Sequence, residues 1–182
     1  SIIEDIRIWT DGADASPAEQ LRAMLESLGV RRKRLGIETA TQGLTHSNGR
    51  KVHGALQDFC GLITFDGVIE SLRAVKSPAE LAAVRRAAEL ADDAYDAALA
   101  LVGPGADEGA ILAAMQGAVF KGGGDYPGNE FIIGSGADAL LCRYKSGRRK
   151  LSKRDQLTLE WAGVYRHYHA AFMRTLIVGK PA

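Results

Sequence analysis

Residues 155–169 read DQLTLEWAGVYRHYH, and this stretch decides how the second half of the chain folds. It predicts a strand over residues 157–161. Successive side chains of a strand point to opposite faces, so Glu160 and Ala162 share one face and Trp161 lies on the other. The Trp-Ala-Gly sequence after Glu160 indicates a buried strand, which makes Glu160 a candidate functional carboxylate rather than an ordinary surface residue.

The next strand is predicted over residues 165–178. Within it, His167 and His169 share one face and Tyr168 lies on the other, provided that no bulge intervenes. Both imidazoles are therefore candidate catalytic groups. The alternative for both histidines is an exposed position in the turn of a hairpin.

Upstream of these strands the pattern is helical. Ser77-Pro78-Ala79-Glu80 is a capping box with proline at the first helical position, and it predicts a long helix that runs to about Val102. A second helix is predicted from residues 106–108 to Phe120, and further strands over residues 131–133 and 140–144. The predicted buried stripe of the long helix consists of Leu81, Val84, Ala88, Ala91, Tyr95 and Leu99. Two helices followed by a series of strands indicate an α+β domain with helices on one face of an antiparallel sheet.

The first 75 residues alternate helix and strand, as a small α/β domain does. Helices are predicted over residues 17–28 and 45–59. Strands are predicted over residues 34–38, 62–65 and 68–72. The two domains are therefore residues 1–75 and residues 76–182, with the boundary just before the capping box.

Composition excludes several classes of function. The 182 residues carry 23 basic and 22 acidic side chains, a formal net charge of +1, so no electrostatic argument favours nucleic acid or an anionic membrane as a partner. No apolar stretch approaches the roughly 20 residues of a membrane span, and the first residues lack a signal-peptide pattern. Cys60 and Cys142 are too few for a disulfide framework, so we expect a cytoplasmic protein.

The order of these features resembles the pita-bread-fold family that includes creatinase and aminopeptidase P. The resemblance rests on five segments: 72–101, 132–139, 155–163, 174–175 and 178–181. It implies the end of a creatinase-type α/β N-terminal domain, followed by the first half of a pita-bread catalytic domain. We accordingly expect a fragment that is inactive alone and a parent protein that forms a homodimer.

The same resemblance argues against a metal. Metal-dependent members carry two aspartates, eleven positions apart on adjacent strands, that bind a paired metal site. The corresponding residues here are Glu160 and Ala171, and a histidine of the peptidases corresponds to Arg143. An alanine methyl group has no lone pair, and a guanidinium cannot bind a cation. We therefore expect neither metal nor cofactor.

Creatinase implies a metal-free route for this fold, namely hydrolysis of a small cationic substrate at a C–N bond. Segments 140–149 and 157–175 are most similar to ectoine hydrolases, which open a cyclic amidine carboxylate to N-acetyl-diaminobutyrate. In this hypothesis Glu160 neutralises the amidinium and acts as nucleophile or base, with His167 and His169 as further catalytic candidates. The predicted substrate-binding residues are Arg143 for the carboxylate, and Tyr144, Trp161 and Tyr168 as pocket walls.

Four alternatives stay open at this stage. Arg143 can instead pair with Asp138 or Asp155, and the tyrosines can be core residues. The chain can belong to a metal-dependent Xaa-Pro aminopeptidase or dipeptidase, or form a non-catalytic pita-bread module. The loop of residues 125–130 is a candidate border of the site.

Overall fold

The computed structural model describes residues 3–8, 12–140, 143 and 146–180. The chain divides into two compact units, Ser1–Val75 and Lys76–Ala182. This division falls just before the capping box at Ser77–Glu80. Within the described ranges, no helix has the length and apolar character that crossing a membrane requires.

The first unit is a small α/β structure. In chain order it contains α1 (Pro17–Ser27), β1 (Arg34–Ile37), α2 (His46–Leu56), β2 (Gly61–Thr64) and α3 (Val68–Ala74). Strands β1 and β2 pair in parallel. Leu56, Phe59 and Cys60 form its buried cluster, against which side chains of α1 and of both strands pack.

The strand predicted over residues 68–72 is wrong, because this segment is helix α3. Gly67 has a positive φ of 78° and stands at the helix N-cap. The Ile69 backbone N–H donates to the Glu38 side chain, 31 residues upstream. A glycine turn can precede a helix as readily as a strand, so the local sequence does not decide between them. The contact with Glu38 comes from a distant part of the chain, which local patterns do not show.

The second unit places helices on one face of an antiparallel sheet, as predicted. It contains α4 (Pro78–Leu99), α5 (Glu108–Lys121), β3 (Ile132–Ser135), a 3-10 helix (Gly136–Leu140), β4 (Asp155–Tyr165) and β5 (Tyr168–Val178). The strand order is β3-β4-β5, and both pairs are antiparallel. The predicted strand over 140–144 is wrong in its described part, because Leu140 ends the 3-10 helix and Arg143 lies in a turn.

The predicted capping box of α4 is present. The Ser77 hydroxyl accepts a hydrogen bond from the Glu80 backbone N–H at 3.3 Å, and the Glu80 carboxylate accepts one from the Ser77 N–H at 2.7 Å. The predicted buried stripe is only partly right: Ala91 is fully buried and Tyr95 packs against the core, but Leu81 and Leu99 are 38% and 45% exposed. The buried residues of α4 are Ala83, Ala87, Leu90, Ala91, Ala94 and Ala98.

Alanines face the sheet because α4 lies unusually close to β4. A Cβ atom added at Gly163 would stand 1.9 Å from the Ala87 carbonyl oxygen and 2.5 Å from the Ala91 nitrogen. Glycine is therefore required there for steric reasons. Next to it, the Trp161 indole N–H donates to the Ala91 carbonyl oxygen at 2.9 Å. Backbone and side chain of β4 thus both contact the same turn of α4.

Strands β4 and β5 form a hairpin with a two-residue turn. Tyr165 pairs with Tyr168, so Arg166 and His167 form the turn, with positive φ values of 49° and 65°. Positive φ at both central residues is the geometry of a type I′ hairpin turn, which matches the strand twist. The predicted start of the second strand at Tyr165 is therefore wrong, because the turn interrupts it.

A polar network is buried at the other end of this sheet. The Glu108 carboxylate is fully buried, and it accepts hydrogen bonds from the Ser135 hydroxyl and the Arg149 backbone N–H. The Arg149 guanidinium donates to Ser135 at 2.7 Å, to Asp155 at 2.9 Å and to Ser152 at 2.8 Å. The network joins the start of α5, the end of β3 and the start of β4.

Replacing Gly163 by alanine should lower the free energy of unfolding by more than about 3 kcal/mol, because the new methyl group overlaps α4 backbone. Chemical denaturation followed by circular dichroism measures the change. Gly117→Ala in α5 is the matched control: its Cβ meets nothing within 4 Å, so it should stabilise the chain by about 0.5–1 kcal/mol. Equal effects of the two variants would contradict the close packing.

Acidification should weaken the second unit through Asp155. Burial raises the pKa of this carboxyl, but the Ser152 N–H and the Arg149 guanidinium outweigh burial, so the pKa lies below its ordinary value of 3.8. The folded state then binds fewer protons than the unfolded state. The stabilisation is complete above about pH 4 and is lost as the pH falls through the folded-state pKa.

Asp155→Asn should therefore lower stability at neutral pH by about 2 kcal/mol and flatten the acid limb of the stability curve. Denaturation measured from neutral to acidic pH tests this. Asp92→Asn, an exposed substitution on α4, serves as the control. An acid limb of Asp155→Asn as steep as that of the unmodified chain would show that another group causes the acid sensitivity.

Candidate functional site

Glu160 lies in the middle of β4, the central strand of the sheet. It is paired with Ile132 on β3 and with Met173 on β5. Its neighbour Trp161 belongs to the core beneath the helices, so Glu160 projects from the opposite face of the sheet. The side chain is 27% exposed, and its carboxylate is therefore held in a fixed environment while remaining accessible to a small molecule.

Arg143 is the observed partner of Glu160. Its Nη2 donates to Glu160 Oε1 at 2.5 Å. The Asn129 amide is oriented so that its oxygen accepts from Arg143 Nη1 at 2.6 Å, and its nitrogen donates to Glu130 at 2.8 Å. The guanidinium is thus held from two sides by planar groups.

The residues at the two family metal positions do not fit a metal pair. Ala171 lies on β5 opposite Ala162, on the same sheet face as Glu160, and it offers only a methyl group. The Glu160 carboxylate, the other candidate ligand, already accepts from a guanidinium, whose positive charge opposes a second cation. Among the described residues, no three His, Cys, Asp or Glu side chains converge in a way that could hold a metal ion.

His169 shares the face of Glu160 but lies well away from it. It pairs with Val164, four residues along β4 from Glu160, a separation of about 13 Å along the strand. Its Nε2 accepts from the Gly128 backbone N–H at 2.8 Å, and its Nδ1 stands 2.8 Å from the His167 carbonyl oxygen. These contacts assign the proton to Nδ1 and give His169 a role in fixing the loop around Gly128.

Three other predicted site residues do not join Glu160. His167 is an exposed turn residue and does not share a strand face with His169, which corrects that prediction. Trp161 is 4% exposed and stacks between Tyr95 and Phe172, with ring centroids 5.3 and 5.8 Å away.

Tyr168 also contacts the helix side of the sheet. Its hydroxyl donates to the Glu80 carboxylate at 2.9 Å, and its pairing with Tyr165 places it on the face of Trp161. Both aromatic rings therefore lie on the sheet face opposite to the Glu160 carboxylate. Tyr144 lies outside the described residues.

Sequence reasoning missed Asn129 and Met173 as neighbours of the pair. Met173 stands directly opposite Glu160 on β5 and is 56% exposed. Asn129 belongs to the loop of residues 125–130, which was predicted only as a border of the site. The signal for Asn129 was this turn-rich loop, and the signal for Met173 was the hairpin register, which requires the position of the turn.

Comparison with known proteins identifies the family. Residues 82–182 match the sequence model of metallopeptidase family M24. The chain belongs to family M24. The solved structure of an Xaa-Pro dipeptidase from Bacillus anthracis superimposes on 91% of this chain and 45% of its own, with a TM-score of 0.77 and 25% identity. The predicted pita-bread fold and the family resemblance are confirmed.

Curated relatives within M24 match at similar levels. An Xaa-Pro dipeptidase of Pyrococcus horikoshii is 28% identical over 64% of this chain and 33% of its own length. An uncharacterized peptidase of Bacillus subtilis, YqhT, is 28% identical over 87% of this chain and 43% of its own. The ectoine hydrolase of Halomonas elongata is 27% identical over 64% and 31%. The matched region thus spans between 31% and 43% of the length of these relatives.

The Arg143–Glu160 contact should be measurable by a double-mutant cycle with Arg143→Met and Glu160→Gln. Because both side chains are partly exposed, we expect a coupling free energy of about 1 kcal/mol or less, reduced by salt. Urea denaturation of the four variants gives this value. The exposed Arg86–Glu89 pair, 2.7 Å apart on α4, provides a second cycle for comparison. A coupling of zero at low salt would contradict the pairing.

Proposed function

We propose that this M24 chain carries part of the site of a metal-independent hydrolase that cleaves a C–N bond in a small substrate bearing both a cation and a carboxylate. The observation that carries the proposal is the contact between Arg143 and Glu160 at 2.5 Å. A guanidinium and a carboxylate side by side complement a ligand of the opposite polarity. An amidinium would bind Glu160, and a carboxylate would bind Arg143 in place of the internal contact.

Replacement of the Arg143–Glu160 contact by two contacts to the substrate explains why the site holds an ion pair rather than two separated charges. Before binding, each side chain neutralises the other, so neither charge is desolvated without a partner. On binding, one internal pair is replaced by two pairs to the substrate. The substrate must therefore carry both groups at a separation that spans the two side chains, which selects against simple amines and simple acids.

The chemistry follows from the same two groups. Glu160, freed from Arg143 and next to the amidinium carbon, accepts a proton from water as the water oxygen bonds to that carbon. The tetrahedral intermediate collapses by breaking one C–N bond, and the departing nitrogen takes up the proton. The products are an amide and an amine, and no oxidant or reductant is needed. Ectoine, the substrate named for the Halomonas relative, has this combination of amidine and carboxylate.

A second candidate is a metal-dependent Xaa-Pro dipeptidase. Relatives of that name are 28% identical to this chain, and the ectoine hydrolase, at 27%, is the more distant match. In this case the metal ligands would have to come from groups other than position 171, where the alanine offers no donor. Displacement of Arg143 from Glu160 would also have to accompany metal binding.

The deciding experiment assays the longest natural form of the protein on ectoine and on an Xaa-Pro dipeptide, each with chelator and with added Mn²⁺. We expect ectoine ring opening that the chelator does not change. Glu160→Gln should lower kcat by about 100-fold or more, because it removes the base. Arg143→Met should raise KM by about tenfold or more, because it removes a charge-assisted contact to the carboxylate.

Glu89→Gln is the matched control, since it disrupts an Arg–Glu pair on an exposed helix surface and should leave both constants unchanged. Dipeptide hydrolysis that the chelator abolishes would replace the proposal by the second candidate. Absence of turnover on both substrates would overturn this substrate assignment. A homodimeric state and a cytoplasmic location remain predictions.

A further inference from the structure

A cleft lies within the first unit, and its lining residues are outside the range that matches the M24 model. Its volume is about 520 Å³, and it runs along α2 from the end of β1. Ile37, the last residue of β1, and Leu44 give it an apolar wall. Neither the family match, which covers residues 82–182, nor the chemistry of Glu160 involves this cleft.

Basic side chains of α2 form the opposite wall. His46, Arg50 and His53 follow one another at spacings of four and three residues, so they share one helix face, and all three are exposed. In the described part of the chain, none of the residues lining the cleft is acidic. A guanidinium between two imidazoles offers several hydrogen-bond donors to an oxyanion.

The cleft opens at the carboxyl end of β1, which pairs in parallel with β2. In open α/β sheets this edge is where ligands bind, because the loops and helix starts gather there. Its wall at Thr39 is fixed, since the Asp66 carboxylate accepts hydrogen bonds from the backbone N–H groups of Thr39 and Ala40 and from the Thr39 hydroxyl at 3.0 Å. The Asp66 carboxylate therefore already accepts hydrogen bonds from three donors of this loop.

Two glycines of α2 give an independent indication that this space is used. Gly49 and Gly54 both line the cleft, and neither has a positive φ. A Cβ at Gly54 would meet nothing within 4 Å, and one at Gly49 would make only ordinary contacts with Leu44. Packing therefore does not require glycine at either position, although glycine weakens a helix relative to alanine. Their effect is to keep the cleft wide beside Arg50.

We propose that this cleft binds a small molecule with an anionic oxygen group, a phosphate or a carboxylate, next to an apolar portion. The anionic group contacts Arg50 and the imidazoles of His46 and His53, while the apolar portion packs on Ile37 and Leu44. The inference is independent of the function proposed for Glu160.

The test titrates phenyl phosphate and benzoate into the protein and follows the ring proton resonances of His46 and His53 by NMR. We expect saturable shifts of both histidines with at least one probe. A lower dissociation constant for phenyl phosphate identifies a phosphate ligand, and a lower one for benzoate identifies a carboxylate ligand. Arg50→Gln should raise the dissociation constant of the tighter-binding probe by about tenfold, because it removes one charge-assisted contact.

Lys33→Gln removes one positive charge elsewhere in the same unit and should leave binding unchanged, which separates a local contact from a general charge effect. Gly54→Ala provides a second, independent variant that does not impair folding. It should raise the thermal midpoint and weaken probe binding, because the methyl group fills the cleft. Absence of saturable histidine shifts with both probes, or binding unaffected by Arg50→Gln and Gly54→Ala, would overturn the proposal.

Discussion

The contact between the α4 backbone and β4 at Gly163 is the constraint on which the second unit depends. It requires glycine at position 163, and the residues that α4 buries are alanines apart from Leu90. It also places the Trp161 indole against the Ala91 carbonyl, where the ring fills the space that the small residues leave beside it. The helix is consequently held by backbone proximity and one large aromatic residue rather than by leucine interdigitation.

Because of this packing, the two faces of the sheet have different environments. The sheet face that carries Trp161 packs into the core beneath the helices. On the same face, the Tyr168 hydroxyl donates a hydrogen bond to Glu80 at the start of α4. On the opposite face, Arg143 and Asn129 reach Glu160 from loops. Because alternation along β4 is strict, no residue next to Glu160 in the chain can assist it directly; its partners come from other segments.

Two arginine–carboxylate pairs in the second unit differ in how far their carboxylates are exposed to solvent. Asp155 is 4% exposed, and it accepts from Ser152 as well as from Arg149, so its charge is fully used in holding the chain together. Glu160 is 27% exposed, and its described hydrogen-bond partner is a guanidinium that is itself 40% exposed. The first pair cannot open without disrupting a buried network, whereas both partners of the second are more exposed to solvent.

The sequence by itself determined the family, the α+β class, the capping box of α4 and Glu160 as the residue to examine. These follow from local patterns: caps act within one turn, and alternation fixes which strand neighbours share a face. Only the tertiary structure decided that α3 is a helix, that alanines form the buried face of α4 and that Arg143 pairs with Glu160. Each of these depends on residues distant in the chain, such as Glu38 for α3 and Gly163 for α4. The turn at Arg166–His167 separates His167 from His169 for the same reason, because strand register is a property of two strands together.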